Sequence, residues 1–390
     1  MATPDLRRVR RRLFSSGSIA AATLVLALGF WASAAFPGRP FPRASSSVPE
    51  PATRLRERIL AERPLGMYYY TDENRSFESL QSNLREIGVL APQSFRVDAE
   101  GYVYGEVPPR ALDAARAAGV PVMPLVVNTG FDRGVASALL RDPQARDRMA
   151  MYLAYLAARD GYAGWQLDFE RLDPADRDLY PEFARRIADR LHRDDRLLSV
   201  TVVPRFSDAF PDIPRTGRFF TGEWGAPYDF RALGAAVDFL TLMAYDQHNQ
   251  SSPPGPVAGH EWVEAAVEYA VARVPPEKIL LGIPFYGREW IDNEGSFLSR
   301  SVAHSDVRAL LTQPEVSLYW DERWRSPWLR YRDDAGWRTI WFEDRRSLAE
   351  KLKLVDQYGL RGFAAWRLGA EDPEFWPVAA LARSSPRAAR

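Results

Sequence analysis

Eight apolar runs of strand length recur along the chain, at 66–70, 89–95, 122–127, 164–169, 197–203, 239–245, 279–285 and 362–366. Between them lie amphipathic stretches with helical spacing, such as 76–87, 110–118, 147–158, 179–192, 261–274 and 348–358. Strands that alternate with helices need crossover connections, which make the strands parallel and bury both of their faces. Eight such units close most naturally into a barrel with helices outside and side chains filling the interior. The expected fold class is therefore α/β, a (β/α)8 TIM barrel, with a doubly wound open sheet as the competing architecture.

Two places break the alternation. The segment 99–107 (AEGYVYGEV) has the composition of a hairpin, and the aromatic stretch between about 288 and 344 is too irregular for a barrel helix. The latter is expected to be a small α+β insertion between barrel strands seven and eight, with a hairpin turn at Asp334–Gly336.

Upstream of the barrel, Arg7, Arg8, Arg10, Arg11 and Arg12 precede an apolar run from Ile19 to Phe36 that ends in small residues. A basic region, an apolar run and small residues make an export signal, read either as a cleavable signal peptide or as a membrane anchor. Positive charge stays on the cytoplasmic side, so everything after Phe36 is expected outside the cytoplasmic membrane. The domain reading is a basic n-region at 1–18, the signal or anchor at 19–36, a Pro/Ser-rich linker at 37–63 and the barrel at 64–384.

Composition removes several function classes. Lys plus Arg and Asp plus Glu both number 51, so no net positive field attracts nucleic acid. The chain has no Cys, which removes thiolate metal sites and thiol nucleophiles. The 4 His (His192, His248, His260 and His304) show no ligand or triad spacing and are expected in loops or on the surface. No glycine-rich phosphate motif follows a strand. Neither a metal nor a cofactor is expected.

Reacting groups in such barrels sit at the C-terminal ends of the strands. The fourth barrel strand ends Gly164, Trp165, Gln166, Leu167, Asp168, Phe169, Glu170, and period-two geometry puts Gln166, Asp168 and Glu170 on one face. Two carboxylates on an apolar wall raise each other's pKa, which keeps one of them protonated for general-acid work. The bland alternative is that such a pair merely caps the next helix. The sixth barrel strand, however, delivers Met243, Tyr245 and Asp246 to the same mouth, and the eighth delivers Trp366, a flat floor for a sugar ring. Gln166 is expected to lie beneath Asp168 and to donate an amide hydrogen bond to it.

These residues resemble the glycoside hydrolase family 18 barrels, in the bacterial branch of spore-cortex and peptidoglycan glucosaminidases. The resemblance lies in Gly164–Glu170, in Met243–Asp246, in the Gly282–Trp290 motif GIPFYGREW and in WRLGAEDPEFW from Trp366 to Trp376. It implies substrate-assisted retaining hydrolysis of an N-acetylglucosamine-containing polysaccharide, and a monomer is expected. Glu170 is then the general acid and base, Asp168 and Tyr245 steady the acetamido group, and Asp246, Trp366, Met243, Gln166 and Asn128 are expected to contact substrate. Ala163 and Gln166 stand where the family carries acidic or amide residues. A lectin-like binder with weak or no activity, and an envelope protein that uses the insertion to bind a partner, therefore stay open beside the enzyme. The retained Glu170 favours the enzyme.

Overall fold

Residues buried on both sides of a sheet form strands wherever β-branched, aromatic and leucine side chains run together, and each of the eight expected runs contains one. The computed structural model describes residues 51–208, 224–293, 296–334 and 336–384. The expected export segment and the start of the linker lie outside those residues. Among the described ones, no helix is long and apolar enough to cross a membrane.

The strands in chain order are β1 (Leu65–Tyr70), β2 (Val89–Val97), β3 (Val103–Gly105), β4 (Leu125–Asn128), β5 (Gly164–Asp168), β6 (Leu197–Val202) and β7 (Phe239–Leu242). They continue with β8 (Ile279–Pro284), β9 (Gly287–Asn293), β10 (Ser296–Val302), β11 (Ser317–Asp321), β12 (Ser326–Asp333), β13 (Gly336–Trp341) and β14 (Gly362–Trp366). The order β1-β14-β8-β7-β6-β5-β4-β2 is parallel throughout, and β1 also pairs with β2, which closes the ring. The open-sheet alternative is thereby excluded. The expected hairpin is β3, paired antiparallel with β2 through Arg96 and Tyr104.

Period-two alternation divides every barrel strand into two sets. One set faces the helices, among them Trp165, Leu167, Val200 and Leu240. The other fills the interior, where Leu65, Met67, Val89, Leu197, Phe239 and Leu280 make an apolar floor. Strands approach closely at that floor. A Cβ on Gly164 would lie 2.0 Å from the Leu197 carbonyl oxygen, and one on Gly362 2.0 Å from that of Leu65. Higher in the barrel the interior turns polar, with Gln166, Ser199 and Thr241 in one layer and Asp168 and Thr201 above them.

Between β8 and β14 the antiparallel sheet β10-β9-β13-β12-β11 and the helix His304–Leu310 form the α+β insertion. Asp333 pairs with Gly336 across the anticipated turn. Leu329, Ile340, Val302, Val307 and Phe342 give it a core of its own.

Two expectations need correction. The linker was expected to run to residue 63, but Ala52–Ala61 is a helix whose Ile59 is wholly buried against the barrel floor beside Leu65 and Met67. Leu55 and Leu60 pack around that contact, so three apolar residues suffice to dock a helix otherwise rich in charge. Two of the four histidines also depart from the loop-or-surface expectation. His192 and His248 are accessible, whereas His260 and His304 are buried, His304 with Asp372 3.7 Å away. Both buried residues open helices, His304 within the insertion and His260 against it, where the His260 N–H donates to the Trp324 carbonyl.

The docked helix carries a stability prediction. Ile59→Ala should lower the unfolding free energy by about 2–5 kcal/mol, the usual range for truncating a buried isoleucine. Equilibrium urea unfolding of the two proteins measures it, and a change near zero would mean that the helix contributes nothing to the barrel.

Candidate active site

The end of β5 is held from both sides. Asn128, the last residue of β4, receives the Glu170 N–H on Oδ1 (3.0 Å) and donates from Nδ2 to the Glu170 carbonyl (3.2 Å). A side-chain amide has the same donor and acceptor as a peptide, so Asn128 extends the β4–β5 ladder by one rung. On the outer side the Tyr228 hydroxyl donates to the Phe169 carbonyl (2.7 Å), and the Phe169 ring stacks on Tyr180 at 5.8 Å. The peptide carrying both carboxylates therefore has little freedom.

Asp168 is buried at the top of the interior, where Thr201 Oγ1 donates to its Oδ1 (2.7 Å) and Gln93 supplies a further hydrogen bond. Burial pushes its carboxyl up to about 6, and those two donors restrain the rise. Glu170 is pushed higher, to about 8, first by burial and then by the charges of Asp168 and Asp246. The two environments thus separate the pair, with Glu170 held protonated to higher pH than Asp168. Protons leave this pair in coupled steps, and the two values describe it jointly.

Around the carboxylates, Tyr69, Gln93, Met243, Tyr245, Asp246 and Trp366 help to line a cavity of about 280 Å³. The Trp366 ring closes one side, 5.2 Å between centroids from Tyr69. Asp246 adopts a left-handed backbone (φ 60°), which is unfavourable for a residue with a Cβ. Its Oδ1 accepts from Tyr286 Oη (2.6 Å) and from Arg288 Nη2 (3.4 Å), and both donors lie where β8 runs on into the insertion. Asp246, Tyr286 and Trp366 also border an adjoining hollow of about 310 Å³, which reaches Arg288, Ser301 and Arg367. The cavity therefore continues as a cleft between the barrel mouth and the insertion.

Six of the expected residues share this cavity: Asp168, Glu170, Met243, Tyr245, Asp246 and Trp366. Gln166 and Asn128 do not. Both are 0 % exposed, so neither contacts a ligand directly. Gln166 lies one layer below Asp168 as expected, yet its amide donates to Ser199 Oγ and Thr241 Oγ1, each at 2.8 Å, and not to Asp168. Those hydroxyls stand level with it on the two following strands and capture both amide protons. Tyr69, Gln93, Thr201 and Tyr286 also line the cavity and were missed in the sequence. Gln93 and Thr201 are polar residues inside apolar runs, which was a signal in itself.

The family model "Glycosyl hydrolases family 18" matches residues 113–371. A Bacillus subtilis protein named for a sporulation-specific glycosylase, YdhD, is 32% identical over 242 residues, 61% of this chain and 54% of that relative. The chain thus spans about half the length of YdhD. The cortical fragment-lytic enzyme of Bacillus subtilis is 28% identical over 313 residues, 78% of this chain and 70% of the relative. Among solved structures, a chitinase from Chromobacterium violaceum superposes with a TM-score of 0.74 at 28% identity, covering 83% of this chain and 99% of the chitinase.

The raised Glu170 carboxyl has a consequence for stability. The upper step of the pair lies near 8, against about 4.5 for an unfolded glutamate, so the folded state binds more protons between those values and loses stability as pH rises through them. Glu170→Gln removes the ionisation. The variant should melt above the wild type at pH values beyond about 8 and alongside it below about 4.5. Melting curves across that range test the assignment; an equal difference at both ends would mean that Glu170 titrates normally.

Proposed function

The chain belongs to the glycosyl hydrolases of family 18, and on that footing we propose that it hydrolyses β-linked, N-acetylglucosamine-containing polysaccharide, peptidoglycan or chitin-like, by substrate-assisted retaining catalysis. The observation that carries the proposal is one cavity at the barrel mouth that gathers Asp168, Glu170, Tyr245, Asp246 and Trp366, with burial and two neighbouring carboxylates raising the Glu170 carboxyl. A binding protein has no use for a carboxyl whose proton is held at the cost of burial beside two other carboxylates.

In this reading a sugar ring rests on Trp366 and Glu170 protonates the glycosidic oxygen. The C–O bond breaks as the substrate's own acetamido oxygen attacks the anomeric carbon. Asp168 and the Tyr245 hydroxyl orient the acetamido group and stabilise the positive charge of the resulting oxazolinium ion. Water, deprotonated by Glu170, then opens the ring with net retention. Asn128 acts through the peptide, by fixing where the Glu170 carboxyl can reach. The names of the cortical fragment-lytic relative and of the chitinase support an N-acetylated substrate and leave both polymer classes within the proposal.

The same reading places the catalytic domain outside the cytoplasmic membrane, on the strength of the arginine cluster and the Ile19–Phe36 run. Protease added to spheroplasts should digest the domain, and protection would count against export.

Two kinetic outcomes follow. Glu170→Gln should lower kcat on N-acetylglucosamine oligomers by about 10²- to 10⁴-fold with little change in binding, whereas fully deacetylated oligomers of equal length should not be cleaved by the wild type. Retention of half the wild-type rate by the variant would remove Glu170 from the mechanism, and equal rates on the two substrates would point to an enzyme nucleophile. The pH profile of kcat/KM should be bell-shaped, rising through the lower step of the pair near 6 and falling through the upper step near 8. A profile that keeps rising beyond 9 would contradict a protonated Glu170.

A further inference from the structure

The outer wall of the barrel carries a face that the catalytic reading does not use. Helix Pro143–Asp160 presents Arg148, Met151, Tyr152 and Tyr155 at spacings i, i+3, i+4 and i+7, one stripe of its surface. Beside it stand Tyr102 and Tyr104, two apart and so on one face of the β3 hairpin. Exposure is 53% at Met151, 40% at Tyr152, 56% at Tyr155, 52% at Tyr102 and 47% at Tyr104. Together they line an open, largely apolar groove of about 580 Å³. A clustered apolar surface of this kind on a soluble domain marks an interaction site.

Neighbouring groups hold the rings of the groove in place. Tyr152 and Tyr155 stack with centroids 6.0 Å apart, and the Arg148 guanidinium lies 4.7 Å over the Tyr102 ring while also donating to the Glu100 carbonyl. The Tyr104 hydroxyl donates to Asp98 Oδ2 (2.8 Å), and Asp98 Oδ1 accepts the Tyr102 N–H (2.8 Å). Gly101, in a left-handed turn (φ 83°), lies so close to the helix that a Cβ would meet the Ala145 oxygen at 2.2 Å. Rings held this way lose little freedom when a ligand stacks on them.

Charge indicates what covers the face. Through Met151 the groove joins a second hollow, between that helix and the helix Leu179–His192. There Asp147 is taken by Arg186 and Glu182 by Arg146. Arg185, Arg190 and Arg193 are exposed and form no ion pair among the described residues, with Asp189 as their acidic neighbour. Phenol rings next to uncompensated guanidiniums suit a chain that offers the C–H faces of sugar rings together with carboxylates.

We propose that this face is a second glycan-binding surface, which holds a carboxylate-bearing N-acetylhexosamine polymer such as peptidoglycan against the barrel wall. The ligand class rests on the function proposed above and narrows it, since a neutral chitin chain engages the rings but has nothing for the arginines. None of these side chains lines the catalytic cavity, so polymer capture and bond cleavage are separable by mutation.

The test is co-sedimentation of the full chain, in the cold, with insoluble peptidoglycan, with chitin, and with vesicles of phosphatidylcholine with or without phosphatidylglycerol. Tyr152→Ala with Tyr155→Ala should weaken peptidoglycan binding about tenfold. Arg185→Gln, Arg190→Gln and Arg193→Gln combined should weaken binding to peptidoglycan and not to chitin. Both variants should hydrolyse a short soluble N-acetylglucosamine oligomer at the wild-type rate. The paired Tyr→Phe variant keeps the rings and should keep binding, which separates lost stacking from misfolding. Unchanged peptidoglycan binding by the alanine variant overturns the proposal, as does a loss confined to anionic vesicles, which would make the face a membrane contact. If the wild type cleaves no oligomer, the hydrolase reading fails, while sedimentation still decides the surface.

Discussion

Two carboxyl groups brought together at the end of one strand of an apolar barrel set the terms for everything around them. An ionised carboxylate taken from water must find hydrogen-bond donors or give up its charge. Asp168 finds donors in Thr201 and Gln93, which approach from β6 and β2. Glu170 instead meets the negative charges of Asp168 and Asp246. One kind of functional group in two surroundings therefore holds its proton differently, and the difference arises from β6, β2 and the segment after β7.

The interior grades from apolar to polar for the same reason. Leu65, Met67, Leu197 and Phe239 supply the floor, and Gln166 with its two hydroxyl partners forms a neutral layer between that floor and Asp168. A fully satisfied amide donor pair adds no charge beside Asp168 and Glu170. The mouth is completed from outside the barrel. Because β9 follows directly on β8, Tyr286 and Arg288 reach back to Asp246, so the insertion supports the residue whose left-handed backbone needs support. The strain at Asp246 and the burial of Glu170 are both unfavourable for folding, and the extensive packing of the barrel outweighs them.

Placement of charge also distinguishes the two faces that the chain turns outward. At the cleft each guanidinium has a carboxylate: Arg288 has Asp246, Arg367 has Glu73 and Arg75 has Asp306. That balance fits hydroxyl and amide groups of sugars, which both give and accept hydrogen bonds. On the wall near Tyr152, Arg185, Arg190 and Arg193 form no such pair among the described residues, whereas Arg186 is held by Asp147, and the surroundings favour an anionic chain.

The amino-acid sequence by itself determined the eight barrel strands, the position of the insertion and the inward phase of Asp168 and Glu170. All three are local properties: a strand buried on both faces must be apolar along its length, and a period of two assigns every residue to a side. It determined less well whatever depends on contacts across strands. Asn128 read as a ligand contact, although its amide is spent on the Glu170 peptide, and Gln166 read as a partner of Asp168, although Ser199 and Thr241 hold it. Ala52–Ala61 read as linker because three apolar residues make a weak pattern until a floor exists for them to pack on. Which inward side chains stand level is set by the stagger of eight strands closing on themselves, and no single strand encodes that stagger. Only the closed barrel could decide that Thr201 and Gln93 meet Asp168 while Tyr286 and Arg288 meet Asp246.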